Sequence, residues 1–276
     1  MCLITLSWQP DAQYPLILVA NRDEFYKRPA KTVHFWEDNP EIFGGRDLEA
    51  GGGWLALSRR GRIAAVTNYR ESPLKPGTLS RGHLVSDFLN SDLSPQEYLN
   101  RIHQKADHYS GFNLLVGDSS GLFYYSNRMG HIVSLQSGFH ALSNHLLNSP
   151  WPKLEKVKQG LAQHIEHHQK PEPEGLISMM HDSSKAPDDQ LPDTGVSPEQ
   201  EKFLSSCFIA SEDYGTRNTS VLILDRQGSL SWTEQIYLPY GETGKKRRFS
   251  MSFPVSWQPT NRSANLKNDH KAVKNS

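Results

Sequence analysis

The sequence predicts an α+β fold in which antiparallel sheets are stacked and covered by helices. Two observations lead there. Short β-prone runs follow one another across brief polar turns, and two blocks of helical periodicity interrupt them. In order, residues 2–8 (CLITLSW) and 16–21 (LILVAN) flank the Pro-bounded turn QPDAQYP and form a hairpin. With positions 8 and 15 facing each other, Cys2 falls opposite Asn21, and the NRDEF segment lies beside the chain start. A second hairpin joins Trp54–Ser58 to Ile63–Thr67 through an Arg-Arg-Gly turn. The glycines Gly51, Gly52 and Gly53 before it mark a close backbone approach or an open cleft. Residues 80–105 read as helical. Leu84, Val85, Phe88 and Leu89 share one face, and Ser94-Pro95-Gln96-Glu97 supplies a helix start. The β-pattern resumes in FNLLVGD, GLFYYSN, HIVSL and GFHALSN. Pro150 and Pro152 open a helix over 152–168, and 176–182 continues that layer. A loop over 185–200 precedes strands at 206–211, 219–225, 229–235 and 246–252. Residues 1–253 form one domain. Residues 254–276 are polar, with almost no apolar spacing, and read as a disordered tail.

Composition narrows the functional classes. Hydrophobic residues are 36% and aromatics 10% of the 276, enough to pack a core. Thirty basic residues balance thirty acidic ones, so no net field draws the chain to nucleic acid or an anionic membrane. No segment reaches the roughly 18 apolar residues of an integral membrane span. The first residues lack a positive stretch and a long apolar run, so no signal peptide is read. Two cysteines, Cys2 and Cys207, staple little in a chain this long, which points to a reducing, cytoplasmic compartment. His164, His167 and His168 share a helix but lack a metal motif, and read as a solvated face. No metal is expected. The basic run 245–248 is too short for a nucleic-acid patch. Cys207, in the apolar SCFIAS, reads as core.

Cys2 carries a chemical reading of its own. Removal of Met1 would leave one residue with both a thiol and a free α-amine. That amine titrates near pH 7.7–8.0 in unperturbed form, which suits a general base for its own nucleophile. The alternative is a small buried hydrophobe at a strand start. On β-alternation, Arg22 and Glu24 share one face of the second strand, and Asn21 and Asp23 the other.

Several motifs are long and unusual: MCLITL, LVANRDEFYKRP, FGGRD, GGGWLALSRRGRIAAVTNYR, RGHLVSDFL, GFNLLVGD, ALSNHLLNSPWPKL and YGTRNTSVLILD. Through them the chain resembles the NRDE family from residue 1 to about 252. That family is similar to the N-terminal-nucleophile amidohydrolases that include bile salt hydrolase, penicillin V acylase and acid ceramidase. The resemblance implies a four-layer αββα sandwich with Cys2 as nucleophile. It also implies oxyanion-hole roles for Asn68 and Asn144, and Arg217 as a charge near the nucleophile. One segment departs. The hydrolases carry Arg-x-x-Asp at the end of strand two, whereas here Asn21 and Glu24 stand in register, with Arg22 and Asp23 between them. Either Asp23 or Glu24 would steady the α-amine.

Two functions follow. One is cleavage of a linear amide by Cys2 through an acyl-enzyme, with no cofactor required. The other is a non-catalytic binding and trafficking protein using the same cleft for haem, a lipid or an acyl-CoA. Trp36, Gly52, Gly53 and Trp54 are expected to wall the cleft and suit a flat or long apolar ligand.

Overall fold

The computed structural model describes residues 2–9 and 11–253; the tail read over 254–276 lies outside them. In chain order the elements are β1 (Cys2–Trp8), β2 (Leu16–Phe25), β3 (Ala30–Phe35), β4 (Ile42–Asp47), β5 (Leu55–Ser58) and β6 (Ile63–Asn68). Next come α1 (Gly82–Asn90), α2 (Pro95–His103), β7 (Phe112–Asp118), β8 (Gly121–Ser126), β9 (Ile132–Ser134) and β10 (Gly138–Leu142). The chain continues through α3 (Pro152–His167), α4 (Pro173–Met180), α5 (Pro198–Phe203), β11 (Tyr214–Leu224), β12 (Ser229–Tyr237) and β13 (Thr243–Ser252). The strands build two antiparallel sheets, ordered β10-β1-β2-β11-β12-β13 and β3-β4-β5-β6-β7-β8-β9.

Alternation along the strands sorts the core into three apolar layers. Ile4, Leu6 and Trp8 of β1 meet Leu55, Leu57, Ile63, Ala65 and Leu115 of the facing sheet. The opposite face of β1 and β2, with Leu3, Ile17 and Val19, packs under Leu154, Val157 and Leu161 of α3 and Leu176 and Met180 of α4. Ala56, Ala64, Val66, Leu114 and Val116 pack under α1 and α2. The result is helix, sheet, sheet, helix: a four-layer αββα sandwich. The helices start where local chemistry directs. Ser94 accepts from Glu97 N while Glu97 reaches back to the Ser94 backbone, a capping box that begins α2.

Four expectations need correction. The β1–β2 register pairs Cys2 with Arg22, not Asn21, because Trp8 faces Leu16 and the Gln9 N–H to Pro15 carbonyl bond (2.9 Å) closes the turn. Residues 206–211 are not a strand. They form an irregular segment, buried over 206–209, in which the Phe208 N–H donates to the Asp182 carbonyl and the Cys207 carbonyl accepts from the Asn21 side chain. An apolar run alone does not separate the two cases. The 80–105 block is two helices, broken at Ser91–Ser94. The 185–200 loop runs into α5 from Pro198. Strands β3 and β4 carry too little alternation to read in advance.

Beside the core residue Ala20 of β2, the polar residues Ser220, Glu234 and Arg247 stand in register across β11, β12 and β13. Glu234 is fully buried and accepts from Val33 N at 3.1 Å. Burial pushes its carboxyl up to about 7, against the opposing pull of that bond and of Arg247. The folded chain therefore holds a proton that the unfolded chain releases near an ordinary glutamate value. The stabilisation from this group is complete below about pH 4.3 and is lost as pH rises to about 7. Glu234→Gln removes that dependence. In thermal melts it is expected to exceed the wild type at about pH 8, by on the order of 2–3 kcal/mol, with the margin closing by about pH 4. A margin that stays constant with pH would refute the assignment.

Candidate functional site

The site forms at the end of the sandwich where β1 begins and β2, β6 and β10 end. Antiparallel pairing places Cys2 directly across from Arg22 on the central strand. A cavity of about 220 Å³ opens there, lined among others by Cys2, Arg22, Asp23, Glu24, Asn68 and Arg81.

Beyond Asn21, β2 supplies three charged residues to this cavity. Arg22 is buried and reaches Asp47 (Nη2 to Oδ2, 3.3 Å). Arg28 grips the same carboxylate through Nε (2.6 Å) and Nη2 (3.1 Å). These contacts and the backbone N–H of Ala50 hold the Asp47 carboxyl below its ordinary range, against its partial burial. Asp23 is buried and accepts from Thr216 Oγ1 at 2.7 Å. Burial raises its pKa, opposed by Lys153, the Thr216 bond and Arg22. Asn21 does not reach the cavity. It faces the helical layer, where its Nδ2 donates to the carbonyls of Met180 (3.0 Å) and Cys207 (2.9 Å).

The two asparagines meet. Asn144 Nδ2 donates to both the carbonyl and the Oδ1 of Asn68, each at 3.0 Å. Both amide protons of Asn144 are thereby used, and Asn68, which lines the cavity, keeps its own Nδ2 donor. Ser143 Oγ, beside them, lies 3.0 Å from the Cys2 carbonyl and 3.1 Å from Asn144 Oδ1. Thr67 Oγ1 donates to the Ser143 carbonyl at 2.6 Å. These bonds tie the end of β6 in one sheet to the residues after β10 in the other, with Cys2 at the junction.

Arg217 stands further out. It occupies the register shift between Thr216 and Asn218 on β11, and its Nη1 donates to the carbonyls of Phe25 (3.2 Å) and Arg28. It braces the segment that carries Arg28 and does not line the cavity. Burial pulls its pKa down, and nearby Arg22 adds to that. Among the expected wall residues, Gly53 and Trp54 line the cavity. Trp36 does not, because its ring is buried in the core beneath α1, with Nε1 donating to Gly44. Gly52 serves close approach instead: a Cβ there would stand 2.6 Å from the Gly82 carbonyl oxygen. Sequence reasoning assigned no role to Arg28, Asp47, Thr67, Arg81 or Ser143. All five lie inside or beside the quoted motifs, which was the available signal.

Burial pushes the Cys2 thiol up to about 11, with nearby Asp23 adding to this and Arg22 opposing it. Cys207 is raised to about 11 as well, again by burial, against the field of Lys153. A buried neutral thiol needs a base before it attacks anything. Among the described residues no cluster of three or more His, Cys, Asp or Glu is arranged to hold a metal ion, and no helix is long and apolar enough to cross a membrane.

A family model described as Transport and Golgi organisation 2 matches residues 1–239. The Transport and Golgi organization protein 2 homolog of Bos taurus is 36% identical over 259 residues, covering 86% of this chain and 94% of the bovine one. The Drosophila melanogaster Transport and Golgi organization protein 2 is 28% identical over 274 residues, covering 89% and 96%. Among solved structures, a Caenorhabditis elegans N-acylethanolamine-hydrolyzing acid amidase ortholog overlays with a TM-score of 0.47 at 8% identity, covering 80% of this chain and 92% of that one. The four layers are held by this chain's own three apolar clusters.

The Gly52–Gly82 contact sets where α1 enters the site. A methyl at Gly52 would meet backbone, which cannot swing aside, whereas one at Gly53 would meet Trp36 Cζ2 at 3.3 Å and Val85 Cγ1 at 3.4 Å. Gly52→Ala is expected to cost about 1–3 kcal/mol and Gly53→Ala clearly less, as read by denaturant titration. Equal costs would show that the backbone contact is not limiting.

Proposed function

The chain belongs to the transport and Golgi organisation 2 family, and from that premise we propose that it is a cysteine amidohydrolase of the N-terminal-nucleophile type, acting on a small linear amide. The observation that carries this reading is the meeting of Cys2 and Asn68 in one cavity, with Asn68 held from behind by Asn144.

In the proposed reaction, removal of Met1 frees the Cys2 α-amine, which takes the thiol proton. The sulfur attacks the amide carbonyl carbon, forming a C–S bond. The Asn68 Nδ2 donates to the developing oxyanion. Collapse breaks the C–N bond, and the proton passes from the α-amine to the leaving nitrogen. Water then attacks the thioester, releasing a carboxylic acid and restoring the thiol. Asp23 steadies the ammonium form of the α-amine, and Asn144 is a positioning residue rather than a direct donor.

The cavity's size and lining support a small polar substrate. Its volume falls below the roughly 300–1,000 Å³ of sites for drug-sized ligands, and charged side chains from β2, β4 and the start of α1 line it. Such a lining gives no support to haem or a long acyl chain as occupant of this cavity.

The test is hydrolysis of a panel of short N-acyl amides by the wild type, Cys2→Ser and Cys2→Ala, with intact mass establishing the N-terminus. We expect a mature chain that starts at Cys2 and turns over at least one amide. Cys2→Ala is expected to lower kcat/KM by at least about a thousandfold. Iodoacetamide should label Cys2 before Cys207 in that processed chain, and a variant forced to retain Met1 should label slowly at both. Retained activity in Cys2→Ala, or a wild type that cleaves none of the panel and labels its two cysteines equally, would defeat the proposal.

A further inference from the structure

The segment RGHLVSDFL is one of the chain's most distinctive motifs, yet the reaction above uses none of it. Its first residue, Arg81, lines the Cys2 cavity together with Ser80 and Gly82. Two backbones hold it there. The Gly53 N–H donates to the Gly82 carbonyl at 3.3 Å, and Gly52 packs against Gly82 so tightly that neither side admits a bulkier neighbour without movement. Arg81 is thus built into the site by the same glycine contact that starts α1.

The cavity's other two arginines are paired. Arg22 and Arg28 both pair with Asp47. Asp23 is bonded to Thr216. Glu24 accepts from the backbone N–H of Phe25 at 2.9 Å. Of the arginines lining the cavity, Arg81 alone forms no ion pair among the described residues, and its Nη1 donates to the Gly111 carbonyl at 3.0 Å. A guanidinium has five N–H donors in a planar fork, so most of this fork remains available. It lies in the fields of Glu24 and Arg28, and it lines the same cavity as the Cys2 thiol. Burial pulls its pKa below the ordinary arginine value, yet an arginine stays cationic across the physiological range. The first turn of α1 carries no acidic side chain to offset it.

A part-buried guanidinium in a water-accessible cavity has one strongly favoured class of partner, a planar or tetrahedral oxyanion that takes two of its N–H groups at once. We propose that Arg81 is a substrate-binding residue that selects amides bearing an anionic group, a carboxylate or a phosphate. The inference rests on the amidase reading for its chemistry, and it adds the substrate class. It assigns the SRG segment to recognition, leaving Cys2, Asn68 and Asp23 to bond cleavage.

Calorimetric titration of the full-length Cys2→Ala protein separates this inference from the amidase reading, because no turnover is needed. The probes are hexanoate, hexyl phosphate and hexanamide, which share a chain and differ in the head group. At least one anion is expected to bind about tenfold or more tightly than hexanamide. Arg81→Met should erase that preference while leaving hexanamide affinity unchanged, and Arg81→Lys should keep part of it. Hexanoate against hexyl phosphate tells a carboxylate from a phosphate. Melting temperatures confirm folding, and Arg81→Gln replaces the methionine variant should the latter not fold. Anions that bind no better than hexanamide, or a preference that survives both Arg81→Met and Arg81→Gln, would overturn the proposal whatever the outcome of the amidase assay.

Discussion

Three hydrogen bonds to one buried side chain, Asn21, fix the frame on which the site depends. Its Nδ2 donates to the carbonyls of Met180 and Cys207, and its Oδ1 accepts from Thr219 Oγ1 at 2.6 Å. All of these lie on the helical face of the sheet. A strand has a two-residue repeat, so a slip by one would turn Asn21 toward the apolar inter-sheet core and leave these partners unpaired. With Asn21 pinned outward, Arg22 must point inward, where it meets Asp47, and Cys2 stands across from it. The geometry around Cys2 is therefore held by a residue that does not line the cavity.

A second constraint joins the sheets. The inter-sheet core is apolar and non-directional, and it would tolerate small shifts of one sheet over the other. At the site end, directional bonds replace it. Thr67 donates to Ser143, Asn144 to Asn68, and Asn113 Nδ2 to Thr67 Oγ1 at 3.1 Å. Every one of these residues except Asn68 is buried, where an unmade bond is costly. The network fixes the Asn68 amide relative to Cys2 even though the two come from different sheets.

Much of this was legible in the sequence, and the limits have physical causes. Hairpins and alternation gave the layered α+β architecture, and the motif resemblance added the αββα order and the set Cys2, Asn68 and Asn144. The first hairpin's register came out one residue short, because a loop of Pro and polar residues does not reveal which pair closes it. Asp47, Arg28 and Arg81 went without roles because local sequence does not say which charges meet across a fold. Trp36 was placed at the cleft on its aromatic character, yet an apolar ring between two packed layers is better buried. Residues 206–211 looked like a strand because burial, not pairing, selects apolar residues. The run is a lid over Asn21 whose carbonyls take side-chain donors.

The central claim is that Cys2 becomes acylated. Incubation of the purified full-length protein with p-nitrophenyl hexanoate, followed by quenching and peptide mass spectrometry, tests it most directly. Attack by the thiol would expel p-nitrophenolate and leave the hexanoyl group on the enzyme. The account predicts one hexanoyl group, carried by the peptide that begins at Cys2 and absent from Cys2→Ala. A protein that gains no hexanoyl group, or gains it on lysines or Cys207 equally in wild type and Cys2→Ala, would contradict it.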